Sequence, residues 1–138
     1  MATTKKRVLV IDDEPAVVTY LRTLLSDNGY DTLSADNGRT GFLTAQKEKP
    51  DLVCLDITMP EESGIRFYRN LRDDPALAKT PVVVVTAVTG IGGDPEPFRH
   101  FLSTRRQVPP PEGFISKPID RGEFLRVVAT ALAGPVRA

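Results

Sequence analysis

The chain has 138 residues, 41% hydrophobic and 26% charged, and its 18 Lys and Arg set against 18 Asp and Glu leave a formal net charge of +0. That length suits one domain burying about two-thirds of the surface its unfolded chain would expose, and leaves no room for a second. Balanced charge argues against a polyanion-binding module, and no apolar stretch approaches the roughly 18 residues of a membrane span. Lys5, Lys6 and Arg7 read as a solvated N-terminus, and the apolar run behind them stops at Asp12, too short for a signal-peptide core. The lone Cys54, inside Leu52-Val53-Cys54-Leu55, reads as a small core residue in a reducing compartment, so the expected location is the cytoplasm.

Five short apolar runs recur along the chain, with helix-length segments between them. Val8 to Ile11 is the first. Behind it Pro15 suits a first helical position, Val17, Val18, Leu21, Leu24 and Leu25 share one stripe, and Gly29 can close the helix. Thr32 to Ala35 is a weak second strand. Arg39 to Lys49 follows with Phe42, Leu43 and Ala45, although Gly41 weakens it as a helix. Leu52 to Ile57 and Val82 to Val85 are almost uninterrupted, as strands covered on both faces of a parallel sheet are. Between them Ser63 to Arg72 carries Phe67, Tyr68 and Leu71 as its buried stripe. A fourth helix is expected over Pro97 to Arg106 and a fifth strand at Phe114 to Ile115. In the last helix Asp120 as N-cap with Glu123 three residues on resembles a capping box, Phe124, Val127, Val128 and Ala131 form the stripe, and Gly134-Pro135 the stop.

This alternation predicts a doubly wound α/β sheet, in which ligands bind outside the carboxyl ends of the strands. Those ends carry Asp12-Asp13, Asp36, Asp56, Thr86-Ala87 and Lys117-Pro118. Singly, each has an ordinary reading as a cap or turn residue. Together they place three carboxylates (Asp12, Asp13, Asp56), the Thr86 hydroxyl and the Lys117 ammonium on one rim. The repulsion among the carboxylates calls for a hard cation, and Mg²⁺, which takes one or two carboxylates, several waters and a phosphoryl oxygen, is the expected ion. No His or Cys stands in zinc-ligand spacing, and His100 reads as a surface or packing residue.

The segments VLVIDDEP, LVCLDITMPEESG, VVVVTA and FISKP, in this order and spacing, resemble the receiver domain of two-component response regulators over residues 7 to about 132. The resemblance implies a flavodoxin-like sandwich with a five-stranded parallel sheet of order 2-1-3-4-5 and five helices. It implies that Asp56 is a phosphoacceptor, whose carboxylate attacks a phosphohistidine on a partner histidine kinase or phosphotransfer protein. Asp12, Asp13 and Asp56, with the backbone carbonyl of Thr58, match the Mg²⁺ ligands, and Thr86 and Lys117 match the groups that contact the phosphoryl oxygens. Lys117-Pro118 matches a cis peptide position. Phe114 matches an aromatic that swings when Thr86 moves, although an ordinary core aromatic stays an open reading.

Residues 88–112 depart from that pattern. Gly90, Gly92 and Gly93, Pro95 and Pro97, and then Pro109-Pro110-Pro111 predict a permissive loop, a displaced or shortened fourth helix and a stiff proline strap. Whether this is a tolerated insertion or a partner surface is open on sequence. Val88 and Thr58 stand where the family tunes phosphoryl lifetime, and the apolar Val88 predicts slow autodephosphorylation. The expected protein is a stand-alone receiver, a switch and not a turnover enzyme, signalling through a downstream protein docked on the fourth helix, fifth strand and fifth helix. Pairing with a second copy stays open. The rivals are a phosphorylation-independent docking module, a small aspartyl-phosphate phosphatase of the haloacid dehalogenase kind, and a flavodoxin. The intact five-residue set opposes the first. The adjacent spacing of Asp12 and Asp13 opposes the second, and the acidic loop after the first strand opposes the third.

Overall fold

The computed structural model describes residues 5–56, 63–87 and 112–133. In chain order these form β1 (Arg7–Ile11), α1 (Pro15–Asp27), β2 (Asp31–Ala35), α2 (Gly38–Glu48), β3 (Leu52–Asp56), α3 (Ser63–Asp73), β4 (Val82–Ala87), β5 (Gly113–Lys117) and α4 (Arg121–Ala133). All strand pairs are parallel and the sheet order is β2-β1-β3-β4-β5, as expected of the doubly wound class. Strand position explains why the apolar runs differ in strength. The inner strands β1, β3 and β4 are covered on both faces and read as unbroken runs, whereas the edge strand β2 is only half-buried and reads weakly. The helix expected over Pro97 to Arg106, the proline strap, Val88, His100 and Gly134-Pro135 lie outside the described residues.

Alternation along the strands divides the core into two layers. Leu9, Ile11, Val53, Leu55, Val82 and Val84 face Ala45 of α2 and Phe67, Tyr68 and Leu71 of α3. Val8, Val10, Leu52, Cys54, Val83, Val85 and Ile115 face Leu21 and Leu25 of α1 and Phe124, Val128 and Ala131 of α4. The stripes read from sequence on α1, α3 and α4 are therefore the buried ones. Cys54 is a core residue as expected, and burial pushes its thiol well above the ordinary value. Leu43 departs from expectation: it stands beside the stripe of α2 and is 56% exposed.

Local chemistry starts and stops the helices. Pro15 opens α1 and Gly29, at φ +91°, turns the chain beyond its end. The side chain of Asn37 accepts from Thr40 N at 2.8 Å and caps α2 one residue earlier than the apolar pattern placed its start, and Lys49 leaves that helix in the left-handed region at φ +47°. Asp120 Oδ1 accepts from Gly122 N at 2.9 Å and Glu123 N at 3.4 Å, which is the Asp120 half of the capping box expected from sequence. Gly41 weakens α2 as an isolated helix but is required by packing, because a Cβ there would lie 2.5 Å from Cδ1 of Ile11.

At the end of the sheet where the strands begin, a buried guanidinium joins three segments. Arg72 donates from Nη1 to Ala78 O (3.0 Å) and Thr80 O (2.6 Å) and from Nη2 to Glu112 Oε1 (3.0 Å). The same Glu112 oxygen accepts from Val82 N at 2.7 Å, and the Arg72 guanidinium lies 4.9 Å from the centre of the Tyr68 ring. Burial raises the Tyr68 phenol while Arg72 acts in the opposite direction. The entries to β4 and β5 are thus tied to the end of α3, and removing Glu112 would leave the buried Arg72 guanidinium without its ion partner.

Replacing Gly41 with Ala would stabilise an open helix face, yet here it is expected to lower the urea-unfolding free energy by about 1–3 kcal/mol through overpacking. Adding Ile11→Val, which deletes the obstructing Cδ1, recovers part of the loss. Strictly additive effects in the double variant would show that the two side chains do not meet.

Candidate functional site

The sheet register brings the acidic residues together. Ile11 pairs with Leu55, so the residues that follow, Asp12 and Asp56, stand side by side where β1 and β3 end. Asp12 N donates to Ala35 O at 3.2 Å, which extends the β1 and β2 pairing by one step. Asp12 Oδ1 then accepts from Glu14 N at 2.9 Å, an Asx turn that bends the chain into α1 and leaves Asp13 exposed at the bend. Asp12 is 1% exposed and Asp56 2%, yet each of the three residues offers a carboxylate oxygen lying within 4.8 Å of the others.

Such a cluster is electrostatically costly. Two carboxylates at this separation repel by roughly 1 kcal/mol even in the dielectric of water, and burial of Asp12 and Asp56 enlarges the effect. Oxygen-only donors, packed closely with one member open to solvent, suit a hard divalent cation that keeps several of its waters, as Mg²⁺ does. A cleft of about 460 Å³ beside the cluster, lined by Asp12, Asp13, Thr19, Ser34, Asp36 and Thr40 among others, gives it an open approach.

The other predicted site residues fall on the neighbouring strand ends. Asp56 pairs with Val85, so Thr86 lies one residue further along β4, and the Thr86–Ser116 and Ala87–Lys117 pairs carry the register to the end of β5. The backbone thereby sets Asp12, Asp56, Thr86 and Lys117 along one rim of the sheet. The side chains of Thr86 and Lys117, and all of Thr58, lie outside the described residues. Phe114 is half-buried against the α2 and α3 layer, and Pro118 is exposed just after β5. Asp36 is exposed after β2.

A second feature of this rim was not read from sequence. Ala16, Val17 and Tyr20 of α1 and Pro118 and Ile119 after β5 line an apolar cleft of about 290 Å³. Tyr20 is 41% exposed there. The signal was Tyr20 itself, a large aromatic beside the buried stripe of α1, but its partners Pro118 and Ile119 come from about a hundred residues away and are joined to it only by the fold.

The sequence pattern of the response regulator receiver domain matches residues 8–93, so the match stops inside the Gly- and Pro-rich stretch. The protein PilH of Pseudomonas aeruginosa is 33% identical over 132 residues, covering 93% of this chain and 98% of that protein. The polar-differentiation response regulator DivK of Brucella anthropi is 32% identical over 127 residues, covering 92% and 96%. Among solved structures, the signal receiver domain of a signal transduction histidine kinase from Syntrophus aciditrophicus superposes with a TM-score of 0.79 at 28% identity, covering 96% of this chain and 94% of that one. The Vibrio cholerae chemotaxis protein CheY4 gives 0.78 at 24% identity, covering 93% and 99%, a likeness of fold.

If the three carboxylates repel as their spacing requires, Asp13→Asn raises the unfolding free energy in metal-free, low-salt buffer by up to about 1 kcal/mol, and salt shrinks the gain. A lower or unchanged midpoint in chemical denaturation would contradict the repulsion.

Proposed function

This chain belongs to the response regulator receiver domain family, and on that premise we propose that Asp56 is its phosphoacceptor. Receiver domains act as phosphoacceptor switches and not as turnover enzymes. The observation that supports Asp56 is its place: a carboxylate 2% exposed, at the end of a central strand, with oxygens of Asp12 and Asp13 within 4.8 Å. The donor set fits Mg²⁺, with Asp12, Asp13 and Asp56 as protein ligands and the backbone carbonyl of Thr58 as a further one. When bound, the ion offsets the clustered negative charge and the charge of an arriving phosphoryl group.

The chain's own residues then have separable tasks. An Asp56 oxygen attacks the phosphorus of a phosphohistidine, the new O–P bond forming as the N–P bond breaks. The electron pair returns to the imidazole nitrogen, and the ring leaves neutral when its other nitrogen is protonated. Asp12, fixed by its bond from Glu14 N, and Asp13 hold the metal-binding side of the rim. The Thr86 hydroxyl and Lys117 ammonium contact the phosphoryl oxygens. Positioning and charge neutralisation are what phosphoryl transfer chiefly requires, and these residue types supply both.

Response regulator receivers interact with histidine kinases or phosphotransfer proteins. A partner presenting its phosphohistidine to Asp56 must rest on surface at the rim, and the apolar cleft of Ala16, Val17, Tyr20, Pro118 and Ile119 is the site proposed for it. Phe114, half-buried on β5, is the proposed link by which phosphorylation alters the surface around β5 that a downstream protein reads. The balanced net charge accords with a protein partner and not a nucleic acid.

Incubation with acetyl phosphate and Mg²⁺, followed by intact mass measurement, is expected to add one phosphoryl group to the native chain and none to Asp56→Asn. Chelation abolishes the addition, and Asp13→Asn slows it by roughly tenfold or more, as loss of a metal ligand should. Undiminished labelling of Asp56→Asn would move the acceptor elsewhere.

A further inference from the structure

Between α2 and α3 the surface holds a groove of about 440 Å³ that the phosphoacceptor site does not use. Its floor is apolar: Phe67 is 1% exposed, Phe42 is half-buried against the same layer, and Leu43 rises at the edge 56% exposed. Arg39 from α2 and Arg66 from α3 flank it, both exposed, and among the described residues neither is in an ion pair. Asn37 and Asn70 add amides to its lining. Among the described residues that line the groove the charged ones are Arg39 and Arg66, so its described lining is cationic in a chain whose net charge is +0.

We propose that this groove is a docking surface for an acidic, amphipathic segment of a partner protein. Its apolar side chains would seat over Phe42 and Phe67 against Leu43, and its carboxylates would pair with Arg39 and Arg66. Arginine suits this task because its planar fork can hold a carboxylate through two hydrogen bonds. A helix laid between α2 and α3 could offer apolar residues at i, i+3 and i+4 with carboxylates beside them. Charge decides against a second copy, since a symmetric pairing of this face would set Arg39 and Arg66 against their own counterparts. The surface is lined by residues separate from Asp12, Asp13 and Asp56, so the inference stands or falls independently of the phosphoacceptor.

The test uses the full chain, ¹⁵N-labelled, and two synthetic helical peptides with the same Leu face, one carrying Glu on its other face and one carrying Lys. The Glu peptide is expected to shift the amides of Arg39, Phe42, Leu43, Arg66 and Asn70 saturably, and the Lys peptide to leave them in place. Arg39→Glu with Arg66→Glu weakens the affinity roughly tenfold or more, and raising the salt weakens it in the native chain. Leu43→Ser, on the surface and harmless to the core, weakens it as well. Equal responses to the two peptides, shifts centred elsewhere, affinity unchanged by the double charge reversal, or self-association abolished by Leu43→Ser would each overturn the proposal.

Discussion

Three carboxylates from two strand ends are held where they repel, and the sheet is what holds them. Asp12 and Asp56 stand together because Ile11 pairs with Leu55, and that register is enforced by residues buried on both faces of β1 and β3. A slip by one residue would exchange the two faces of a strand, moving Leu9 and Ile11 from the α2 and α3 layer into the layer of α1 and α4. The cost of placing two carboxylates almost out of water is therefore met by the core, far from the charges themselves. It also explains why the rim is chemically receptive, since a cation arriving there relieves a repulsion that the fold cannot relax.

Much of this is legible in the sequence, and what is not has physical causes. The central strands announced themselves because full burial demands unbroken apolar runs, as in Leu52 to Leu55 and Val82 to Val85. The edge strand β2 read faintly because its residues are half-exposed. Gly41 was a poor omen for α2 by propensity, and its reason is tertiary: the helix lies so close to β1 that Ile11 occupies the space of a Cβ. Leu43 counted as part of an apolar face and instead stands open, since three apolar residues fix the direction of a helix stripe only loosely. The strand-end carboxylates are legible because sites lie at the carboxyl ends of parallel strands, and their roles are what the resemblance implies. Nothing local could reveal the Arg72 and Glu112 pair, whose members are 40 residues apart, or the cleft that joins Tyr20 to Ile119.

The neutral total charge conceals a division of labour across the surface. Acidic groups collect on the rim, where Asp12, Asp13, Asp36 and Asp56 close the first three strands, while Arg39 and Arg66 flank the apolar groove between α2 and α3. An apolar cleft with Tyr20 at its edge adjoins the rim on the side of α1 and β5. These surfaces are made by different helix pairs, so a phosphodonor at the rim and an acidic segment in the groove need not exclude one another.

The central claim, that Asp12, Asp13 and Asp56 form one divalent-cation site, is tested most directly with Mn²⁺, which replaces Mg²⁺ and broadens nearby resonances. Titrating substoichiometric Mn²⁺ into the ¹⁵N-labelled chain should first erase the amide signals of residues closing β1 and β3, around Asp12, Asp13 and Asp56, and excess Mg²⁺ should restore them. Broadening spread evenly over the acidic surface, or centred away from these strand ends, would contradict the account.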